Sequence, residues 1–173
     1  AVPHGFETAI DTAAAFRTQV AFGMAALEAR LQAQAAQDIQ SAIERAATEL
    51  FGAERARLCQ LPKQRVVPSR QPHLGADLTC RAPAALWKVL EASAGEKGCV
   101  VVRSVSEYQL EREASYTNAE QLSRAIISHL EAQPTPSAAE IRTKADGSLQ
   151  ITTQLHMRRQ QTMGRLHCAT CGQ

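Results

Sequence analysis

The sequence predicts an α+β protein with a long N-terminal helical arm followed by a small helix and antiparallel-sheet domain. Three observations carry this. Residues 6–51 hold no proline and one interior glycine, Gly23, within an alanine- and glutamine-rich run. Residues 60–83 then change character, with Pro62, Pro68, Pro72 and Pro83 set among Lys63, Arg65, Arg70 and Arg81. From residue 84 onward, short helical and alternating patterns succeed one another, punctuated by Gly95, Gly98, Pro134, Pro136 and Gly147.

The arm, residues 1–59, is justified by period as well as propensity. Phe16, Val20, Met24, Leu27, Leu31, Ile39, Ile43 and Leu50 recur in steps that keep one helix face, and Ala35 and Ala47 fill the same stripe. Alanine and glutamine add high helix propensity. As one piece the helix is roughly 70 Å long at 1.5 Å per residue. That exceeds a small domain, so part of the stripe calls for a second chain, with Val20, Met24, Leu27, Leu31, Ile39 and Ile43 as the assembly residues. Two helices folding back on their own domain, with a break near Asp38, account for the same pattern. Gly52 is the candidate C-cap.

Residues 60–83 read as an extended basic connector, because prolines fix φ and remove donors. The small domain occupies 84–160. Ala84–Ala94 is a short helix carrying Leu86, Trp87 and Leu90, and Cys99–Val102 is the best strand seed, with Cys99 as a small hydrophobe. Thr117-Asn118-Ala119-Glu120 reads as a capping box that opens a helix over 117–132. Its apolar face is Leu122, Ile126 and Leu130, and Pro134-Thr135-Pro136 ends it.

Residues 139–157 alternate as a hairpin. A two-residue Asp146-Gly147 turn would set Arg142 opposite Ile151 and mix the faces, which a half-buried sheet does not tolerate. A three-residue loop, Ala145-Asp146-Gly147 with Gly147 left-handed, pairs Ile141 with Ile151 and Thr143 with Leu149.

The order of helix 84–94, strand 99–102, segment 104–114, helix 117–132 and hairpin 139–157 resembles a winged helix-turn-helix over 84–158. The resemblance implies a recognition helix at 117–132 presenting Gln121 and Arg124, a wing tip at Lys144, and phosphate contacts at Arg158 and Arg159. Winged helices also dock proteins. Alternatively, Val100–Leu110 forms one long strand, which gives a helix-backed antiparallel sheet instead. The charge distribution bears on the partner: 61–88 and 141–173 each hold 5 basic residues and 1 acidic, whereas 89–140 holds 4 and 8. The flanking segments suit phosphate, and the acidic middle suits protein.

The tail, 161–173, ends in His167-Cys168-Ala169-Thr170-Cys171-Gly172, half of a tetrahedral zinc knuckle. With Cys168 and Cys171 as two ligands, His156 and Cys80 are the candidates for the others, and His73 and Cys59 are alternates. Zinc is the only cofactor expected. Winged helix followed by zinc ribbon would resemble certain general transcription factors in architecture.

No Walker loop, Gly-x-Gly-x-x-Gly or Gly-x-Ser-x-Gly is present, and the five histidines have no catalytic spacing. The expectation is a non-enzyme. No run approaches the ~20 apolar residues of a membrane helix. Five scattered cysteines do not read as a disulfide framework, which favours an intracellular compartment. The chain begins at Ala1, so processing upstream leaves secretion open. The function expected is an intracellular interaction module. It assembles through its helical arm and contacts nucleic acid or protein through the C-terminal domain, with zinc as a staple. Two alternatives stand beside it: a structural component of a larger assembly such as a phage, virion or secretion machine, and a processed extracytoplasmic protein with disulfides.

Overall fold

The computed structural model describes the backbone of residues 4–71, 75–95, 98–106, 108–133 and 138–171. Side chains are described for 12–71, 75–95, 98–106, 108–133 and 140–164. The protein is α+β, and the chain divides into two compact units between Gln34 and Ala35. Helix α1 runs His4–Phe51. It ends at Gly52, whose φ of 92° no other residue type adopts cheaply, and α2 (Ala53–Ala56) and a 3-10 turn (Arg57–Gln60) follow.

In the first unit, residues 12–34 of α1 expose their large apolar side chains. In the second unit, residues 35–51 of the same helix bury theirs: Ile39, Ala42, Ile43, Ala46, Ala47, Leu50 and Phe51 are all core. Ile39 and Ile43, grouped by periodicity with the assembly residues, are therefore corrected to core positions of the C-terminal unit, 1% and 0% exposed. The division does not fall in the proline-rich segment.

That segment is partly structured. It contributes β1 (Val67–Pro68) and β2 (Leu78–Cys80), and Val66, Leu78, Cys80, Ala82 and Pro83 are buried. Thus 60–83 is part of the domain rather than a connector to it. Helix α3 (Ala82–Ser93) starts two residues earlier than expected, with Pro83 in its first turn, where a missing N–H costs nothing.

Strands β3 (Val100–Val105) and β4 (Glu111–Tyr116) form an antiparallel hairpin. The segment 104–114 thus departs from both sequence readings. It is neither the middle helix of a winged helix nor one continuous strand through Leu110. The reversal is made by Ser106, whose N–H donates to Leu110 O at 2.9 Å and whose Oγ accepts from Leu110 N at 3.1 Å, with Gln109 left-handed at φ 58°. Cys99 sits exposed just before β3 rather than inside it.

Helix α4 spans Ala119–Glu131. Its N-cap is Asn118, one residue later than read from sequence: Asn118 Oδ1 accepts from Gln121 N at 2.8 Å, and Gln121 Oε1 accepts from Thr117 N and Oγ1. The proline stop at 134–136 lies outside the described residues. Strands β5 (Ala138–Thr143) and β6 (Leu149–Thr153) pair Ile141 with Ile151 and Thr143 with Leu149, the register expected. Lys144 N donates to Ser148 O at 2.9 Å across a loop with Gly147 at φ 92°. The four-stranded antiparallel sheet has the order β1-β2-β6-β5, with Leu78 opposite Ile151 and Cys80 opposite Leu149.

The expected hairpin to residue 157 stops at Thr153, and helix α5 (Gln154–Cys171) replaces its end. The cause is a cap built from a distance. Thr153 Oγ1 accepts from His156 N at 3.3 Å, while Asp77, 4% exposed, accepts from Thr153 N at 2.8 Å and from Thr153 Oγ1 at 2.6 Å. Within the second unit the core joins Ile39, Ile43, Phe51, Leu78, Leu86, Val102, Leu122, Ile126, Leu149 and Ile151. The Phe51 and Tyr116 rings meet at 5.9 Å and 58°.

Candidate functional site

The feature that packing within the chain leaves without an account is the α1 face over 16–31. Phe16, Val20, Met24, Leu27 and Leu31 are 65%, 45%, 60%, 55% and 49% exposed. Their steps of four, four, three and four residues keep them on one side of the helix. Alanine-rich turns between them hold the helix by propensity, so over residues 12–34 every large apolar residue but Phe22 falls on this stripe. A monomeric protein rarely exposes a contiguous apolar patch of more than a few hundred Å². Phe22, 74% exposed, lies on the opposite side of the helix.

Of the residues expected to hold zinc, Cys80 and His156 have described side chains, and among the described residues no group of three or more His, Cys, Asp or Glu is placed to hold a metal ion. Cys80 is buried in β2, and its thiol donates to Gln64 O at 3.3 Å. Burial pushes the Cys80 thiol up to about 11. Cys59 is pushed up to about 12 by burial first, and by neighbouring Cys80 and Glu44 after it. His156 lies in the first turn of α5, not on a hairpin face, with Nε2 3.2 Å from Gln160 Nε2. The side chains of Cys168 and Cys171, like residue His73, lie outside the described residues; the backbone of both cysteines belongs to α5.

Of the residues expected to touch nucleic acid or a protein, Gln121 and Arg124 bond within or beside α4, and Lys144, Arg158 and Arg159 are exposed. Gln121 closes the N-cap of α4. Arg124 pairs with Glu120 at 2.5 Å. Lys144 is exposed at the β5–β6 loop, where neighbouring Asp146 has its carboxyl lowered below the usual range by the Ser148 hydroxyl and N–H. Arg158 and Arg159 are exposed on α5, beyond the end of β6. Arg103 pairs with Glu113 at 3.1 Å on the β3–β4 hairpin, and Arg142 with Glu140 at 2.6 Å on β5. His129 links α4 to α1: Nε2 is 2.5 Å from Glu49 Oε2.

Sequence reasoning missed two groups. One is the tip of the β3–β4 hairpin, where Val105, Tyr108 and Leu110 are 60%, 83% and 69% exposed. Its signal was the Val100–Leu110 alternation, but that pattern does not say where the chain turns. The other is the buried pair Gln40 and Asp77, polar residues that tie distant segments and carry no local signature. No helix among the described residues is long and apolar enough to cross a membrane. Comparison with family models, with curated proteins and with solved structures returns no match to this chain.

Proposed function

We propose that this protein is an intracellular interaction module that assembles helix to helix through the 16–31 face of α1. The observation that carries the reading is the exposed stripe Phe16, Val20, Met24, Leu27 and Leu31 on a helix whose other large apolar positions, from Ile39 on, are core. Side chains of the kind that are covered in the second unit want covering here, and water is the costlier neighbour. For the C-terminal unit we read protein rather than nucleic acid as the partner. What supports this is the pairing of Arg103, Arg124 and Arg142 with glutamates, which offers mixed charge instead of a basic track, and the exposed Tyr108 and Leu110.

Leu27→Asp and Leu31→Asp test the assembly reading. Both positions are exposed, so the variants fold, and each places a carboxylate in the apolar contact, weakening assembly by roughly tenfold or more. Light scattering across a concentration series reads the effect. Association unaltered by both substitutions would exclude the 16–31 face as the interface.

A further inference from the structure

Taking the 16–31 face as an assembly surface, we infer that its occupant is a second copy of this chain, paired antiparallel about a two-fold axis between Gly23 and Met24. In such a pair, positions whose numbers sum to 47 lie at one level. Phe16 then meets Leu31, Val20 meets Leu27, and Met24 meets Gly23. A Cβ built on Gly23 has no atom within 4 Å, so the glycine leaves open space on the stripe for the copy's Met24. A parallel pair would stack Met24 on Met24 and leave the Gly23 gap facing itself.

Charge points the same way. At 100° per residue, Arg17 and Glu28 fall on one flank of the stripe, and Gln19 and Arg30 fall on the other. Antiparallel two-fold pairing sets each flank against its own copy. Arg17 then lies within two residues, about 3 Å of rise, of the level of the copy's Glu28. Symmetry makes this pair twice, while Arg30 falls beside Gln19. A parallel pair sets Glu28 near Arg30 and leaves Arg17 facing Gln19. Antiparallel pairing therefore gives Arg17 a carboxylate, and it also aligns the helix dipoles favourably.

A charge swap in the full-length chain, read by sedimentation equilibrium with far-UV circular dichroism as the folding check, decides the matter. Arg17→Glu and Glu28→Arg should each weaken self-association roughly tenfold, since each turns two attractions into repulsions. The double variant should return to within about twofold of the parent, and added salt should flatten all three differences. If Glu28→Arg weakens association while Arg17→Glu does not, and the double variant fails to recover, the antiparallel pairing is overturned and the assembly reading stands. If Leu27→Asp and Leu31→Asp leave association intact, the assembly reading itself fails. A chain monomeric at every concentration overturns the second copy as occupant.

Discussion

Gln40→Leu isolates how the segment after α1 is held against it. Gln40 is 4% exposed. Its Nε2 donates to Cys59 O and to Glu44 Oε1, each at 2.8 Å, and its Oε1 accepts from Val66 N at 2.8 Å. One amide thus serves a carbonyl and an N–H that lie 19 and 26 residues downstream. Leucine fills nearly the same volume, so the cavity contribution is small and the loss is polar. Two buried main-chain groups lose their partner, at about 1–3 kcal/mol each. Burial of the leucine methyls offsets roughly 1 kcal/mol of this. The expected net loss is about 1–5 kcal/mol, a large share of the roughly 5–15 kcal/mol typical of a domain. Urea unfolding followed by far-UV circular dichroism should show a lower midpoint at unchanged m, because the surface exposed on unfolding is the same. Thr48→Ala, which removes an exposed methyl and the hydroxyl that donates to Glu44 O at 2.7 Å, is the control and should stay near the parent. A Gln40→Leu variant within about 0.5 kcal/mol of the parent would refute the reasoning, since surface substitutions alone produce changes of that size.

Two further outcomes follow from positions in the second unit. Gly147→Ala should destabilise by about 1–3 kcal/mol, because a Cβ there meets Ala119 Cβ at 3.0 Å and Ser123 Oγ at 3.2 Å as well as adopting φ 92°; Gly52→Ala, with the same φ and open space, should lose only about 1 kcal/mol, and thermal melts of the two variants check the order. Iodoacetamide at mildly alkaline pH should modify exposed Cys99 quickly and leave Cys59 and Cys80 untouched until the protein unfolds, because burial holds those thiols at about 12 and about 11; peptide mass mapping that finds all three modified at one rate would contradict this.

Local physics explains which parts of this fold were legible in the sequence. A proline-free, alanine-rich run with a 3.6-residue stripe can only be a helix, and α1 is one. Gly147 and the alternation around it point to the β5–β6 register, since a slip of one residue mixes the faces. The interval Val100–Leu110 was ambiguous for a related reason: alternation fixes which faces residues occupy, while the reversal at Ser106–Leu110 depends on hydrogen bonds that period does not reveal.

Long-range packing decided the rest. Leu27 and Ile39 look alike in the sequence, one stripe and one spacing, yet the first is 55% exposed and the second 1%, because only the second has the C-terminal unit around it. The candidate surface was legible as a face, and its extent was not. Leu78 and Cys80 stood in a run that prolines marked as a connector, but pairing with Ile151 and Leu149, some seventy residues on, makes it sheet. Leu155 and Met157 continue the alternation of β6 and still fold as helix. Asp77 grips Thr153 from 76 residues away and so caps α5 at that point. A period is a property of neighbours in the chain, whereas burial, pairing and a cap supplied from afar depend on which distant residues the fold brings alongside.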